Sequence, residues 1–235
     1  MKVRIKFTKE GCMKYIGHLD TMRYFQKAIR RAQIPIAFSE GYSPHMILSF
    51  AAPLGVGITS LGEYFDMELT KDMPTAEICD RLNQTMAEGV TVVSARRVED
   101  GKASKAMSLV AAADYQVTFR EGCAPSGDWE KEAAAFCTQP AIFMWKKTKR
   151  SEKEVDIRPF IYEMYAKEGA IFMKLASASA NYTKPELVMD AFCAYLGFEP
   201  ASHAYQVQRL EVFADQGTEG VSRFVPLEEL GEEVE

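Results

Sequence analysis

Apolar and charged positions alternate at the start of the chain. Val3, Ile5 and Phe7 fall on one side and Arg4 and Lys6 on the other, so a period of two predicts a strand over 3–8. The period then lengthens. Leu19, Met22, Phe25, Ile29 and Ala32 recur at intervals of three and four, which predicts an amphipathic helix over 19–33, stopped by Pro35. Ile34 to Phe38 reads as a short strand, and Glu63 to Thr70 alternates clearly. The apolar run Met46 to Phe50, between them, could extend that hairpin. A second helix starts at Pro74-Thr75, shows Ile78, Leu82 and Met86 on one face and ends at Gly89, before a strand over 90–98.

A second round begins after an Ala/Ser-rich junction at 100–113, which reads as a linker or a short helix. Strands are expected at 115–120, 141–147, 156–165, 170–176 and 205–214, with helices at 129–137 and 185–196. The order βαββαβ, met twice, predicts an α+β protein of two tandem ferredoxin-like halves with antiparallel sheets. The expected divisions are 1–100, 114–216 and an acidic, frayed C-terminal tail over 217–235.

At 235 residues and 47% apolar content the chain can bury a sizeable core. No apolar run reaches the length of a membrane span, and the first residues do not read as a signal peptide, so a cytoplasmic protein is expected. Five dispersed cysteines, Cys12, Cys79, Cys123, Cys137 and Cys193, lack CxxC spacing. They read as reduced thiols, most of them core fillers, and exclude an obvious zinc ribbon or iron–sulfur motif. No metal or other cofactor is expected.

Charge is unevenly distributed. The net charge is −5, yet residues 1–31 carry +7 and the remainder −12. A local basic site on an acidic body is the expectation. On the first helix Arg23, Lys27 and Arg30 recur on one face, with Arg31 beside them, and Asp20 sits in the first turn where a carboxylate suits the helix dipole. The loop that follows, Ser39-Glu40-Gly41-Tyr42-Ser43-Pro44-His45, is polar and punctuated by Gly and Pro. Backbone N–H groups and Arg side chains there could hold an anion. The bland reading of the stripe is a solvated charged face.

Other chemistry is thinner. His18, His45 and Cys12 match no metal spacing. His18 beside Arg23 could act as a general acid or base in phosphodiester cleavage. No phosphate-binding loop, dinucleotide fingerprint or serine nucleophile elbow is present. A second basic cluster, Lys146, Lys147, Lys149 and Arg150, reads as a solvated hairpin tip or, with Arg158, as contacts to an anionic partner. Asp156 and Arg158, two apart, would share a strand face. Thr183 reads as a helix N-cap ahead of Lys184-Pro185.

The segments Gly17-His18-Leu19-Asp20, Arg23, Arg30-Arg31-Ala32, Ile34-Pro35, Phe38 to His45, Ser49-Phe50-Ala51, Pro53-Leu54-Gly55, Glu63, Val155 to Ile161 and Lys184-Pro185-Glu186 resemble the radical SAM-linked proteins. That is an uncharacterised domain fused to, or encoded beside, cobalamin-binding radical SAM proteins. Gly17 stands where the family has Ser, and Lys184 where it has Arg, which keeps the charge and loses the bidentate fork. The resemblance implies a cobalamin-type radical SAM partner that supplies the radical chemistry, since the chain lacks a CxxxCxxC triplet. The expected function is a non-catalytic substrate-binding or accessory subunit of such a system, with RNA as the candidate substrate. The alternatives are a metal-independent RNA endonuclease of similar tandem fold using His18, and a small-anion-binding module. The expected ligand-binding set is His18, Asp20, Arg23, Lys27, Arg30, Ser39, Gly41, Tyr42, Ser43, His45, Asp156, Arg158 and Lys184.

Overall fold

A computed structural model describes residues 1–101, 104–147, 152–218 and 220–235. The protein is a mixed α+β chain whose strands pair mostly antiparallel. It divides into two units, Met1–Ala111 with Glu211–Glu235, and Ala112–Leu210.

In the first unit the elements are β1 (Lys2–Lys9), α1 (His18–Arg31), β2 (Leu48–Phe50), β3 (Thr59–Glu68), α2 (Thr75–Asn83), β4 (Val92–Arg97) and the short α3 (Ala106–Leu109). The strands lie in the order β4-β1-β3-β2. Val3, Ile5 and Phe7 on β1 and Phe65 and Met67 on β3 point to one side, as the period of two dictates, and the helices bury their apolar stripes there. Phe25 and Ile29 of α1 and Ile78 and Leu82 of α2 are fully buried. The rings of Phe7, Phe25, Phe50 and Phe65 form one cluster, with centroids 4.6 Å apart for Phe7–Phe25 and 4.8 Å for Phe25–Phe65.

The opposite side of β1 and β3 is polar and also covered. Arg4 and Asp66, both buried, face each other across the strand pair. Arg4 additionally donates to the carbonyls of Leu227 and Ser104. Lys6 binds Glu211 at 2.6 Å and Glu228 at 2.5 Å, while Tyr64 donates to Glu211 at 2.6 Å and Ser94 to Glu228 at 2.7 Å. The covering segment is the C-terminus.

The second unit contains β5 (Val110–Phe119), α4 (Trp129–Phe136), β6 (Phe143–Lys147), β7 (Glu152–Asp156), β8 (Ile161–Lys167), β9 (Ala170–Ala176), α5 (Pro185–Tyr195) and the first part of β10 (Tyr205–Asp215). Its sheet runs β10-β5-β9-β8, and β6 and β7 form a separate two-stranded ribbon. Phe136 and Phe192 meet at 5.4 Å between α4 and α5. Buried Arg209 lies over the Tyr115 ring, 5.8 Å from its centroid.

Several expectations are corrected. No strand forms over 34–38: Pro35 offers no donor, and Ile36 and Phe38 make only isolated bridges to Leu69 and Met46. The strand that registers with β3 is Leu48–Phe50, the run across the loop. The single strand expected at 156–165 is interrupted. β7 ends at Asp156, and Arg158–Phe160 make a 3-10 turn around Pro159 before β8 begins. The helix N-cap is Lys184, and the Thr183 hydroxyl turns back to the Asn181 carbonyl. The cysteines are mostly half-buried, only Cys193 being a core residue, and Cys12 is exposed. Leu19, expected on the core face of α1, is 66% exposed, and Thr21 takes its place in the buried stripe with Phe25, Ala28 and Ile29.

The acidic C-terminus is not frayed. β11 (Phe224–Pro226) pairs with β10, Leu227 is fully buried, and Glu232 exchanges backbone hydrogen bonds with Arg97 at 2.8 and 2.9 Å. The Val234 carbonyl accepts from the Thr75 N–H, an otherwise unpartnered donor in the first turn of α2. Its glutamates are held by cations far away in sequence: Glu228 by Lys6, Glu232 by Arg97 and Glu233 by Arg96.

Candidate functional site

The expected site residues fall in three places within the first unit and two in the second. The first place is the exposed face of α1. Arg23, Lys27 and Arg30 all reach solvent from it, as their spacing predicts. Arg23 pairs with Asp20 at 3.1 Å, an exposed i,i+3 contact worth under about 1 kcal/mol. Among the described residues Lys27 and Arg30 have no ion-pair partner. Arg31 donates to the Thr85 carbonyl at 3.2 Å. By contrast the cations of β1 are consumed internally: Lys2 and Arg4 at Asp66, Lys6 at its two glutamates. Apart from Lys14, which lies over the Tyr15 ring ahead of the helix, the basic excess of residues 1–31 that is left for a ligand lies on α1.

The second place is the hairpin tip. Ser39 and His45 close it: the Ser39 N–H donates to the His45 carbonyl at 2.8 Å, the His45 N–H donates to the Ser39 hydroxyl at 3.1 Å, and the hydroxyl meets His45 Nδ1 at 2.8 Å. Gly41 has φ +108°, which a side chain would strain. Gly41, Tyr42 and Ser43 are exposed, the Tyr42 ring completely so. Beneath the tip is a cavity of about 510 Å³. Met46, Leu48 and Met67 contribute apolar wall, Ser39 and His45 supply hydrogen-bonding groups, and charge of both signs comes from Lys105 on one side and Glu68 and Asp100 on the other. The size and lining suit a small molecule with a hydrogen-bonding end.

The third place is a pit at the start of α1. His18 stands edge-on to Phe50, centroids 5.5 Å apart, at the end of the aromatic cluster. Lys9, Thr21, Leu54 and Glu63 also line this pit. Lys9 and Glu63 are only 3% and 4% exposed. Lys9 donates to the Ile16 carbonyl at 2.7 Å, and Thr21 to the Gly17 carbonyl at 3.1 Å, so the turn that presents His18 is fastened from both sides. Burial, and then the Lys9 charge, hold the His18 pKa below its ordinary value. A neutral imidazole at neutral pH can accept a proton. The pit measures about 10 Å³, on the order of one water molecule.

His18 and His45 line different cavities. Lys9 and Glu63 were absent from the expected site. Their signal was a charge at a core-facing strand position: Lys9 follows Phe7 by two residues, and Glu63 pairs with Phe7 across β1 and β3.

In the second unit Asp156 and Arg158 brace the foot of the β6–β7 ribbon. Asp156 accepts from the Ile142 and Arg158 N–H groups at 2.8 and 3.0 Å. Arg158 donates to the carbonyls of Cys137 and Ile161 at 2.6 and 2.9 Å. Lys184 is exposed at the start of α5. Lys149 and Arg150 lie outside the described residues. Among the described residues no group of three His, Cys, Asp or Glu could hold a metal ion, and no helix is long and apolar enough to cross a membrane.

A family model described as "Uncharacterized protein conserved in bacteria" (DUF2344) matches residues 2–185. No curated protein matches the sequence. Among solved structures, a chain from the crystal structure of a Cbf5-Nop10-Gar1 complex is similar at 9% identity with a TM-score of 0.44. The match covers 89% of this chain and 48% of that one, so the chain spans about half the length of that neighbour.

Proposed function

We propose that this chain, which belongs to the bacterial DUF2344 family, is a substrate-binding or accessory protein that holds an anionic polymer, RNA being the candidate, for a partner enzyme. The observation that carries this reading is the solvent face of α1, where Arg23, Lys27 and Arg30 present charge while the cations of β1 are spent on internal partners. Cations spaced along one helix face suit phosphates regularly spaced along a backbone. The partner in this reading is a cobalamin-type radical SAM protein, on the strength of the resemblance carried by residues 17–20, 38–45 and 155–161. The strand orders β4-β1-β3-β2 and β10-β5-β9-β8, each with two helices in βαββαβ sequence, support two ferredoxin-like units with the β6–β7 ribbon inserted in the second.

Titration with RNA at several salt concentrations tests the reading. Removing one of the three cations is expected to weaken binding about equally across sequences and to reduce the salt slope by roughly one unit. Equal slopes for wild type and all three single variants would sink it. Recovery of the radical SAM protein with tagged chain at endogenous levels tests the partner separately.

The lowered pKa of His18 favours a second reading, a metal-independent ribonuclease with His18 as base. It requires cleavage of RNA in the presence of EDTA that disappears in His18→Ala.

A further inference from the structure

The β6–β7 ribbon exposes an apolar face that the reading above does not use. Phe143 and Trp145 are each 62% exposed, and they lie two residues apart on one strand, hence on the same face. Their register partners on β7 are Asp156 and Glu154, which share that face because directly opposed residues project to the same side. Met144 and Val155, on the other face, are half-buried. The ribbon thus turns its smaller apolar residues inward and its two largest aromatics outward. It pairs with no other strand among the described residues, and its foot is fixed by the Asp156 and Arg158 hydrogen bonds. A two-stranded ribbon held in place presents its aromatics in fixed positions, which lowers the ordering cost of docking.

Exposed aromatics on a strand suit either stacked bases or a protein surface. The register decides between them. Glu154 is exposed and faces the same solvent as Trp145, and among the described residues it has no ion-pair partner. Asp156 adds a second negative charge, although its oxygen is occupied by backbone N–H groups. A phosphate backbone laid across Phe143 and Trp145 would meet these carboxylates. A Lys or Arg side chain would meet Glu154 and could lie over the Trp145 ring.

We infer that the Phe143–Trp145 face of the ribbon is a docking surface for a cationic, amphipathic segment of a protein partner. The inference is independent of the α1 reading, since it uses different residues and a different polymer.

Trp145 reports on its own occupancy. In the full-length chain carrying Trp129→Phe, which leaves Trp145 as the sole indole, emission is followed during titration with three probes: a short Arg/Leu peptide, a Glu/Leu peptide of equal length and single-stranded oligouridine. A saturable blue shift with the Arg/Leu peptide alone is expected. Glu154→Lys and Phe143→Ala should each weaken it by about tenfold or more, while Arg23→Ala leaves it unchanged. Both substitutions are at exposed positions, and far-ultraviolet circular dichroism checks that the fold is kept. An equal response to the Glu/Leu peptide, a response to oligouridine in place of the Arg/Leu peptide, or no response to any probe would each overturn the inference.

Discussion

Arg4 and Asp66 sit opposite each other in the β1–β3 register and form a bidentate pair, with Nε donating to Oδ1 at 2.8 Å and Nη2 to Oδ2 at 3.2 Å. Both are almost fully buried. Their remaining capacity is filled as well, by the Leu227 and Ser104 carbonyls on Arg4 and the Ala106 N–H on Asp66. Removing one partner leaves the other charge buried without its counter-ion. Asp66→Ala is therefore expected to destabilise the first unit by about 3–5 kcal/mol, read from urea denaturation. Replacing both residues with apolar ones of similar volume should recover most of that loss; a double variant as unstable as the single one would show that the hydrogen bonds to Leu227, Ser104 and Ala106 matter more than the pair.

Leu227 is the apolar counterpart of that anchor. It is fully buried, so Leu227→Ala should cost about 2–5 kcal/mol. Gly231 packs tightly against Arg96 and Arg97 of β4. A Cβ there would lie 2.7 Å from the Arg97 carbonyl oxygen and 2.7 Å from the Arg96 Cβ. Gly231→Ala should loosen the end of the segment, raising hydrogen exchange at Glu232 and Val234 while the amides of β3 stay protected.

These contacts explain what could and could not be read from the sequence. Period-two runs such as 3–8 and the three-and-four spacing of Phe25, Ile29 and Ala32 reported local geometry, because one face of each element meets a core. The exposed Arg23–Lys27–Arg30 stripe was legible for the same reason. The C-terminal glutamates were not, because their partners Lys6, Arg96 and Arg97 lie more than a hundred residues away and nothing local signals them. The ribbon was hidden similarly. Ala141 to Trp145 is a continuous apolar run that reads as a strand, yet such a run does not tell which strand it pairs with: β6 pairs with β7, and β8 takes the place in the main sheet. In the candidate site Ser39 and His45 were visible as loop residues, whereas Lys9 and Glu63 looked like ordinary strand charges until the register put them beside Phe7 and under His18.

The hold on the C-terminus should depend on pH. Burial alone would raise the Glu228 pKa, but hydrogen bonds from Lys6 and Ser94 and the Lys6 charge outweigh it and leave the pKa below its ordinary value. A depressed carboxylate pKa contributes stability that is complete above the unfolded value of 4.5 and is lost as pH falls through the folded value. Burial likewise opposes the charge on Lys6, yet its two glutamates raise the pKa above 10.5, so that contribution is present below 10.5 and fades at higher pH. Limited proteolysis should therefore release the segment after Asp215 in acid before β1 and β3 unfold. Glu228→Gln should show the same release near neutral pH, and a segment equally resistant at all acid pH values would separate Glu228 from the latch.

The ribonuclease reading stands or falls at His18. Burial against Phe50 is the larger cause of its lowered pKa and the Lys9 charge the smaller. The imidazole is then neutral at pH 7 and charges only below 6.5. A depressed histidine pKa contributes stability that is present above 6.5 and lost as pH falls through the folded value. Proton NMR of the His18 ring gives the titration directly. Lys9→Met should move it back toward 6.5, and Phe50→Ala should move it further by opening the ring to water, at a stability cost of about 3–5 kcal/mol. A nuclease that uses His18 as base would show activity rising through this same pKa, and Lys9→Met would shift the acid limb of its pH profile upward with the NMR value. RNA binding along α1 should ignore both substitutions, because neither removes Arg23, Lys27 or Arg30 from the exposed face of the helix. Binding that tracks the His18 titration would place the imidazole in the RNA contact and join the pit to the α1 face as one site.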